Sequence, residues 1–200
     1  MSDTTTDVLA LKHRPRKLSD VIGQDPSVQT LLNAFNSGRL PQTFVFAGNL
    51  GCGKTSVARI LAAMENCEKG RGVEPCGECK MCSAIFNGES IDVKEVNAAQ
   101  DRGIEVIRNL SDFVSDRPIL ARVKYVILDE VHMLSREAAE SALKLFEEPP
   151  DGVRFVLCTT DLHKMKGTIQ SRCMPFRFLK VPWPILAEHL KNVSVKEGLK

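Results

Sequence analysis

Residues 43–64 read TFVFAGNLGCGKTSVARILAAM: an apolar run, a glycine-rich segment and then helix-forming residues. The apolar run 43–47 predicts a short buried strand, and residues 56–64 have the spacing of a helix. Between them, residues 48–55 satisfy the pattern G-x-x-x-x-G-K-[ST]. In this pattern backbone N–H groups converge on phosphate oxygens, provided that a strand precedes the loop and a helix follows it. Both conditions hold here, so a phosphate-binding loop is predicted.

The polar groups of such a loop have separate tasks. Lys54 is expected to reach the β- and γ-phosphates of a nucleotide, and the Thr55 hydroxyl to ligate Mg²⁺. The N-terminus of the following helix adds positive potential. Cys52 is interpreted as a small residue that fills the loop rather than as a reactive thiol. The residues of this segment predicted to bind the nucleotide are Gly48, Asn49, Leu50, Gly51, Cys52, Gly53, Lys54, Thr55 and Ser56.

A second apolar run, residues 125–128, ends in Asp129 and Glu130. Enzymes that hydrolyse nucleotides on a phosphate loop hold Mg²⁺ with a carboxylate at the end of a neighbouring strand. We therefore expect Asp129 to hold Mg²⁺ together with Thr55, directly or through water. Glu130 is predicted to polarise the attacking water as a general base.

Strand and helix signals alternate along the whole chain, which predicts an α/β fold with a mostly parallel sheet flanked by helices. Predicted strands are residues 43–47, 92–96, 125–128 and 153–158, in a sheet of four or five strands. One predicted helix begins at the cap Asp25 and ends at Gly38. Four more are predicted over residues 56–64, 103–115, 135–146 and 182–197. With 43% hydrophobic and 26% charged residues the chain is globular. Lacking an apolar run of membrane-spanning length, it is expected to be cytoplasmic.

The net charge of the chain says less about its function than the sequence motifs do. The formal net charge of +2 is too small to predict nucleic-acid binding by itself. Seven cysteines in a chain read as intracellular argue against a disulfide framework, and four of them are clustered in an insertion at about residues 65–88. Cys67, Cys76, Cys79 and Cys82 suit a closed tetrahedral Zn²⁺ site. An iron–sulfur cluster, or no metal at all, are the alternatives.

Several motifs occur together in one order: residues 11–24 (LKHRPRKLSDVIGQ), the phosphate loop, the four cysteines, residues 129–134 (DEVHML) and residues 147–150 (EEPP). In these motifs the chain resembles the ATPase region of AAA+ DNA polymerase clamp-loader subunits, above all the bacterial gamma/tau subunits. The resemblance implies a AAA+ ATPase domain over residues 1–180. Residues 181–200 would be the first helix of a lid domain.

The resemblance also implies roles for individual residues. Arg14, Pro15, Val21 and Ile22 would line the adenine pocket. Thr160 would sense the γ-phosphate, with Thr159 as the alternative. Arg172, in the Ser-Arg-Cys motif, would act in trans on ATP held by an adjacent subunit. An arginine used in this way stabilises charge on the transferring phosphoryl group.

Residues 97–108 resemble the helix that clamp loaders turn toward DNA. Arg102 and Arg108 are candidate contacts to backbone phosphates, which would give affinity without sequence preference. Either arginine could instead pair with a nearby acid. No direct reading of bases is implied.

The function implied is that of an ATP-hydrolysing motor subunit with ATP, Mg²⁺ and Zn²⁺ as cofactors. It would help to open a sliding clamp and load it onto primed DNA during replication. Its expected partners are other clamp-loader subunits in a pentameric ring, the sliding clamp and primer–template DNA. One alternative is a non-hydrolysing structural subunit of the delta-prime kind. A second is a AAA+ ATPase for helicase loading or branch migration, which the cysteine module disfavours.

Overall fold

A computed structural model of the chain describes residues 9–171 and 173–199. In this part of the chain one parallel sheet has the strand order β2-β3-β4-β1-β5. The strands are β1 (Thr43–Gly48), β2 (Val93–Asn97), β3 (Lys124–Asp129), β4 (Val153–Thr159) and β5 (Met174–Phe178). The predicted parallel sheet is therefore confirmed.

Helices connect the strands. They are α1 (Leu9–Lys12), α2 (Asp25–Asn36), α3 (Lys54–Asn66), α4 (Lys80–Asn87), α5 (Ile104–Ser115), α6 (Arg136–Glu147), α7 (Gly167–Gln170) and α8 (Trp183–Lys196). Short 3₁₀ turns cover Leu18–Asp20, Val131–Met133 and Leu162–Lys164. No helix of the described residues is both long and apolar enough to cross a membrane.

The central strand β1 shows why helices cover both faces of the sheet. Phe44 and Phe46 belong to one buried apolar cluster, which includes residues of α3 and α4. Val45 and Ala47 belong to a second cluster, which includes residues of α5 and α6. Successive side chains of a strand point to opposite faces, so an uninterrupted apolar run requires a packed layer on each side.

Because the strands are parallel, β1, β3 and β4 all end at the same edge of the sheet. The phosphate loop follows β1, the two acids close β3, and Thr159 is the last residue of β4. Ligands of open α/β sheets bind in the crevice outside the carboxyl ends of the strands. The topology thus brings together three segments that are far apart in the sequence.

Several elements differ from the sequence-based predictions, among them α1 and α7, which were not predicted. β5 was not among the predicted strands, and its Pro175 is tolerated because β5 lies at the edge of the sheet and pairs only with β1. The cysteine-rich insertion contains α4, which Cys79 caps by accepting a hydrogen bond from the Cys82 N–H. In addition, Gln24 rather than Asp25 is the N-cap of α2, and Pro26 lies in the first turn.

Side chains of the N-terminal segment anchor the end of β5. The Gln24 amide donates to the Leu179 carbonyl at 2.6 Å and accepts from the Leu179 N–H at 2.8 Å. The Ser27 hydroxyl donates to the Arg177 carbonyl at 2.6 Å. Gln24 thereby pairs with Leu179 as another strand would, and it holds residues before α2 beside the sheet.

A buried carboxylate organises the entrance to β3. Asp92, fully buried just before β2, accepts hydrogen bonds from the backbone N–H groups of Ile119, Leu120 and Ala121 at 2.7–3.1 Å. Burial opposes ionisation of Asp92, but the three N–H donors outweigh it and lower the pKa of this carboxyl. The loop after α5 is therefore held by one charged group.

Candidate nucleotide site and cysteine centre

The loop between β1 and α3 has a backbone that requires its glycines. Gly51 and Gly53 have φ angles of 76° and 98°, in the left-handed region that disfavours other residues. A Cβ atom at Gly48 would lie 2.3 Å from the Phe178 carbonyl oxygen, which leaves no room for a side chain. The sequence pattern therefore corresponds to a loop with the geometry of a phosphate cradle.

Lys54 lies at the start of α3 with only 5% of its surface exposed. Its ammonium group donates to the carbonyl oxygens of Gly48 at 2.8 Å and Asn49 at 2.9 Å. The ammonium group therefore lies within the loop. When a nucleotide binds, it can replace one of these hydrogen bonds by one to a phosphate oxygen. Contact of Lys54 with the β- and γ-phosphates stays a prediction.

The two predicted Mg²⁺ ligands are in direct contact. The Thr55 hydroxyl donates to Oδ2 of Asp129 at 2.9 Å, and Oδ1 of Asp129 accepts from the Glu130 N–H at 3.1 Å. Hydroxyl and carboxylate oxygens are the donors that Mg²⁺ takes from proteins, so the residues fit this ion. Together with Lys54 and Glu130 they line a cavity of about 230 Å³.

Glu130 is held in an unusual conformation. It has a φ of 49°, and no other non-glycine residue of the described chain has a positive φ. Its Oε2 accepts from the Thr160 hydroxyl at 2.8 Å and from the Thr160 N–H at 3.3 Å. Backbone strain of this kind is retained where the surrounding contacts determine it, and such positions cluster at functional sites.

The structure also separates the two candidates for the γ-phosphate sensor. Thr160 contacts Glu130, whereas the fully buried Thr159 pairs through its hydroxyl with Nδ1 of His132 at 2.9 Å. Of the two threonines, Thr160 is therefore the one in contact with an acid that lines the cavity. Thr160 as the γ-phosphate sensor, the first choice made from the sequence, stays a prediction.

His132 was not identified from the sequence. Its Nδ1 lies 3.4 Å from Oε2 of Glu130, and its side chain is only 8% exposed. The histidine thus bridges the predicted base and Thr159. Its position two residues after Glu130 was a weak signal, because a histidine just after a strand is as often a packed residue.

A larger cavity of about 620 Å³ adjoins the phosphate loop at Gly51 and Gly53. All four residues predicted for the adenine pocket line it: Arg14, Pro15, Val21 and Ile22. The opposite wall contains Leu186, Leu190 and Val193 of α8, which the sequence did not suggest. Apolar walls with a few polar groups suit a flat heterocycle.

Arg14 differs from the other residues of this wall because it also lines the cavity that contains the acids. Its Nε donates to the Ser56 hydroxyl at 3.0 Å. Burial and then the nearby charge of Arg59 lower the pKa of the Arg14 guanidinium. Arg14 is thus placed between the apolar cavity and the phosphate loop.

The four predicted zinc ligands meet in one cluster. The sulfur atoms of Cys67, Cys76, Cys79 and Cys82 all lie within 4.8 Å of one another. Four thiolates at about 2.3 Å from a single Zn²⁺ are separated by roughly 3.8 Å, so the cluster fits this ion. Several irons would hold the thiolates farther apart, which disfavours the iron–sulfur alternative.

Backbone donors already point at the sulfur atoms. The Cys79 N–H donates to the Cys76 sulfur at 3.3 Å, and the Cys82 N–H donates to the Cys79 sulfur at 3.4 Å. Backbone hydrogen bonds from Glu78 and Cys79 lower the pKa of the Cys76 thiol to about 6. Donors that favour the thiolate are expected where thiolates ligate a metal.

The predicted DNA contacts are exposed at the start of α5. Arg102 Nε donates to the Ala99 carbonyl at 3.2 Å, and Arg108 forms an ion pair with Glu105. Exposed pairs of this kind contribute only about 0–1 kcal/mol, so Arg108 can exchange its partner for a phosphate. Arg172 lies outside the described residues, between Ser171 at the end of α7 and Cys173 before β5.

A family model described as DNA polymerase III, delta subunit, matches residues 23–182. The chain belongs to this DNA polymerase III family. The DNA polymerase III subunit tau/gamma of Haemophilus influenzae is 41% identical over 192 residues, which are 96% of this chain and 28% of the relative. Subunit tau of Escherichia coli is 40% identical over 96% of this chain and 30% of its own length. Subunit gamma of Buchnera aphidicola is 38% identical over 96% of this chain.

These matches confirm the resemblance to the bacterial gamma/tau subunits. The chain spans 28–53% of the length of these three family members. Whereas the family model carries the name of the delta subunit, the relatives carry the names tau and gamma.

Solved structures are similar in fold. A DNA polymerase III gamma subunit-related protein of Thermotoga maritima has a TM-score of 0.56 and 23% identity, over 83% of this chain and 49% of that one. The RuvB Holliday junction branch migration motor of the same organism has a TM-score of 0.62 and 18% identity, over 94% of this chain and 55% of that one. At these identities the likeness supports the AAA+ type of fold and nothing about activity.

Proposed function

We propose that the chain binds and hydrolyses ATP as a motor subunit of a replication clamp loader. One observation carries the proposal: Thr55, Asp129 and Glu130 line a single cavity with Lys54, and Thr160 contacts Glu130. The family membership and the tau/gamma relatives support the assignment to DNA replication.

In the proposed mechanism, the phosphate loop and Lys54 hold the β- and γ-phosphates. Thr55 and Asp129 would hold Mg²⁺, which neutralises charge on the phosphate oxygens when bound. Glu130 takes the proton of the attacking water, and the Thr160 hydroxyl fixes the orientation of its carboxylate. Arg14, Pro15, Val21 and Ile22 orient the base in the larger cavity.

The remaining sequence-based assignments belong to the same proposal. Arg172 acts in trans on the site of a neighbouring subunit, so turnover requires an assembled ring. Arg102 and Arg108 contact the backbone of primer–template DNA, and the four-cysteine centre binds Zn²⁺ as a structural ion. ATP binding closes the ring on an open sliding clamp, and hydrolysis stimulated by DNA releases the clamp.

The competing proposal is a structural subunit of the delta-prime kind, which binds partners without turnover. Lys54 and Thr55 argue against it, because the phosphate loop of subunits of that kind is usually degenerate, whereas both residues are present here. The contact between Thr160 and Glu130 argues against it as well. Both proposals are compatible with the family to which the chain belongs, so a measurement of ATPase activity must decide between them.

The test is the ATPase rate of the full chain mixed with a sliding clamp, its partner subunits and primed DNA, compared with the chain alone. Glu130→Gln, which keeps the shape and hydrogen-bonding reach of the side chain, should bind ATP normally and lower the rate by about 10²–10⁴-fold. Glu137→Gln on α6 is the matched control. Nucleotide binding with no turnover in any combination would favour the structural subunit.

A further inference from the structure

A separate cavity of about 380 Å³ lies between residues 11–16, α3 and α4. It shares Leu11, Arg14, Pro15 and Ser56 with the larger cavity, but its other basic residues, Arg16 and Arg59, do not line that cavity. Phe86 and Asn87 of α4 complete the wall. None of these four additional residues belongs to the predicted nucleotide site.

Three arginines therefore line one cavity. The described residues that line it include no aspartate or glutamate. Arg59 pairs with Glu95 at 2.7 Å and also donates to the Phe86 carbonyl, but Glu95 lies on β2 and outside the lining. The cavity thus carries more positive charge than its own walls compensate.

The other two arginines are held by neutral groups. Arg14 donates to the Ser56 hydroxyl, and the guanidinium of Arg16 lies over the ring of Phe86, 5.5 Å from its centroid. Within residues 9–171 and 173–199, neither Arg14 nor Arg16 forms an ion pair. Stacking on an aromatic ring fixes the plane of a guanidinium while its N–H edges remain available for an anion.

The charges of Arg14 and Arg59 oppose each other inside the protein. After burial, the charge of Arg59 is the main influence that lowers the pKa of Arg14. Two guanidinium groups on one wall repel each other, and an oxyanion between them would replace this repulsion by two attractions. Glu95 and Asp129 raise the same pKa and offset part of this repulsion, but neither carboxylate lines the cavity.

We propose that this cavity is a second anion site, distinct from the phosphate loop, in which Arg14, Arg16 and Arg59 bind a phosphoryl oxyanion. Guanidinium groups bind phosphate oxygens through paired N–H donors, and three of them suit a group that carries more than one charge. The ligand is either a free phosphate or pyrophosphate, or a phosphate of a nucleic-acid backbone.

The proposal does not depend on hydrolysis, although it has a consequence for the nucleotide site. Arg14 and Pro15 form walls of both this cavity and the larger one. An anion that fixes residues 14–16 therefore changes the affinity of the larger cavity for its ligand, and the reverse holds by the same factor.

The test uses isothermal titration calorimetry of inorganic pyrophosphate into the full chain carrying Lys54→Ala. This background removes the lysine of the phosphate loop, so remaining binding reports another site. We expect saturable binding that Arg16→Ala weakens about tenfold or more, which corresponds to the loss of one charge-assisted contact. Arg39→Ala, at an exposed position after α2, is the matched control and should leave the affinity unchanged.

A parallel titration with a short single-stranded oligonucleotide distinguishes the two sources of the phosphate. Binding of either ligand that depends on Arg16 supports the site, and the tighter ligand identifies the source. Arg16→Lys keeps the charge without the planar donors and should fall between the unaltered residue and Arg16→Ala. Absence of binding in the Lys54→Ala background, or equal affinities for Arg16→Ala and Arg39→Ala, would overturn the proposal.

Discussion

The hydroxyl of Thr160 donates a 2.8 Å hydrogen bond to Oε2 of Glu130, across two neighbouring strand ends. This contact fixes the carboxylate that we assign as the base. Nδ1 of His132, which follows β3 as Glu130 does, lies 3.4 Å from the same oxygen. A base that is free to rotate spends less time aligned with the water it must activate. The contact therefore leads directly to a prediction about turnover.

Thr160→Val should lower the ATPase rate of the assembled complex about tenfold or more and leave the affinity for ATP nearly unchanged. The valine keeps the shape of the side chain but removes the donor. The measurement is kcat and, separately, nucleotide binding at equilibrium. Thr30→Val, on the exposed side of α2, is the control; an equal loss in both variants would show that Thr160 has no special role.

Thr55 and Asp129 should together set the requirement for Mg²⁺. Asp129→Asn removes the negative charge that the ion needs, so the Mg²⁺ concentration for half-maximal ATPase rate should rise about tenfold or more. A titration of Mg²⁺ at fixed ATP measures this shift. Asp112→Asn, at an exposed position of α5, should not change it, and an unchanged requirement in Asp129→Asn would exclude this residue as a ligand.

The cysteine centre predicts one Zn²⁺ for each chain. Cys79→Ser should lose the metal, as measured by elemental analysis, and should lower the melting temperature, because metal binding contributes folding free energy. A strong chelator should lower the melting temperature of the unaltered protein as well. Cys173→Ala lies outside the cluster and should keep the metal. A full complement of zinc in Cys79→Ser would contradict the ligand assignment.

Asp92 predicts how stability depends on pH. Its folded-state pKa lies below the ordinary value, so its contribution is complete above about pH 5 and is lost as the pH falls through the folded-state pKa. At pH 7, Asp92→Asn should reduce the free energy of unfolding by about 1–3 kcal/mol, since three N–H donors lose a charged acceptor. The difference from the unaltered protein should shrink in acid. Denaturant unfolding at several pH values tests this, with Asp112→Asn as the control; a pH-independent difference would contradict the assignment.

The parts of the site that the sequence could predict are those whose chemistry is local. The glycines and Lys54 of the phosphate loop are consecutive, and Glu130 follows its apolar strand directly. Their residue types and spacing predict the conformation of the loop, because the strand before the loop and the helix after it determine the backbone between them. Adjacent motifs of this kind need no knowledge of the tertiary fold.

Contacts that join distant segments were not predictable in the same way. His132 contacts Thr159 only because β3 and β4 are neighbours. Leu186 reaches the larger cavity only because α8 lies beside the N-terminal segment. The edge strand β5 was missed because Pro175 weakens a strand signal, and only its position at the sheet edge makes the proline acceptable. Such features depend on which segments lie next to each other in the fold, and not on the conformational preferences of the local sequence.

The pairing of Gln24 with Leu179 has a consequence for the order in which the molecule assembles. These residues are 155 positions apart, and β1 is completed on both sides only by β4 and β5, which follow much later in the chain. Closing contacts across such long separations is slow. During synthesis the phosphate loop leaves the ribosome before β4 and β5, the two strands that pair with β1. A nascent chain interrupted before β5 is therefore expected to expose β1 and to bind nucleotide poorly.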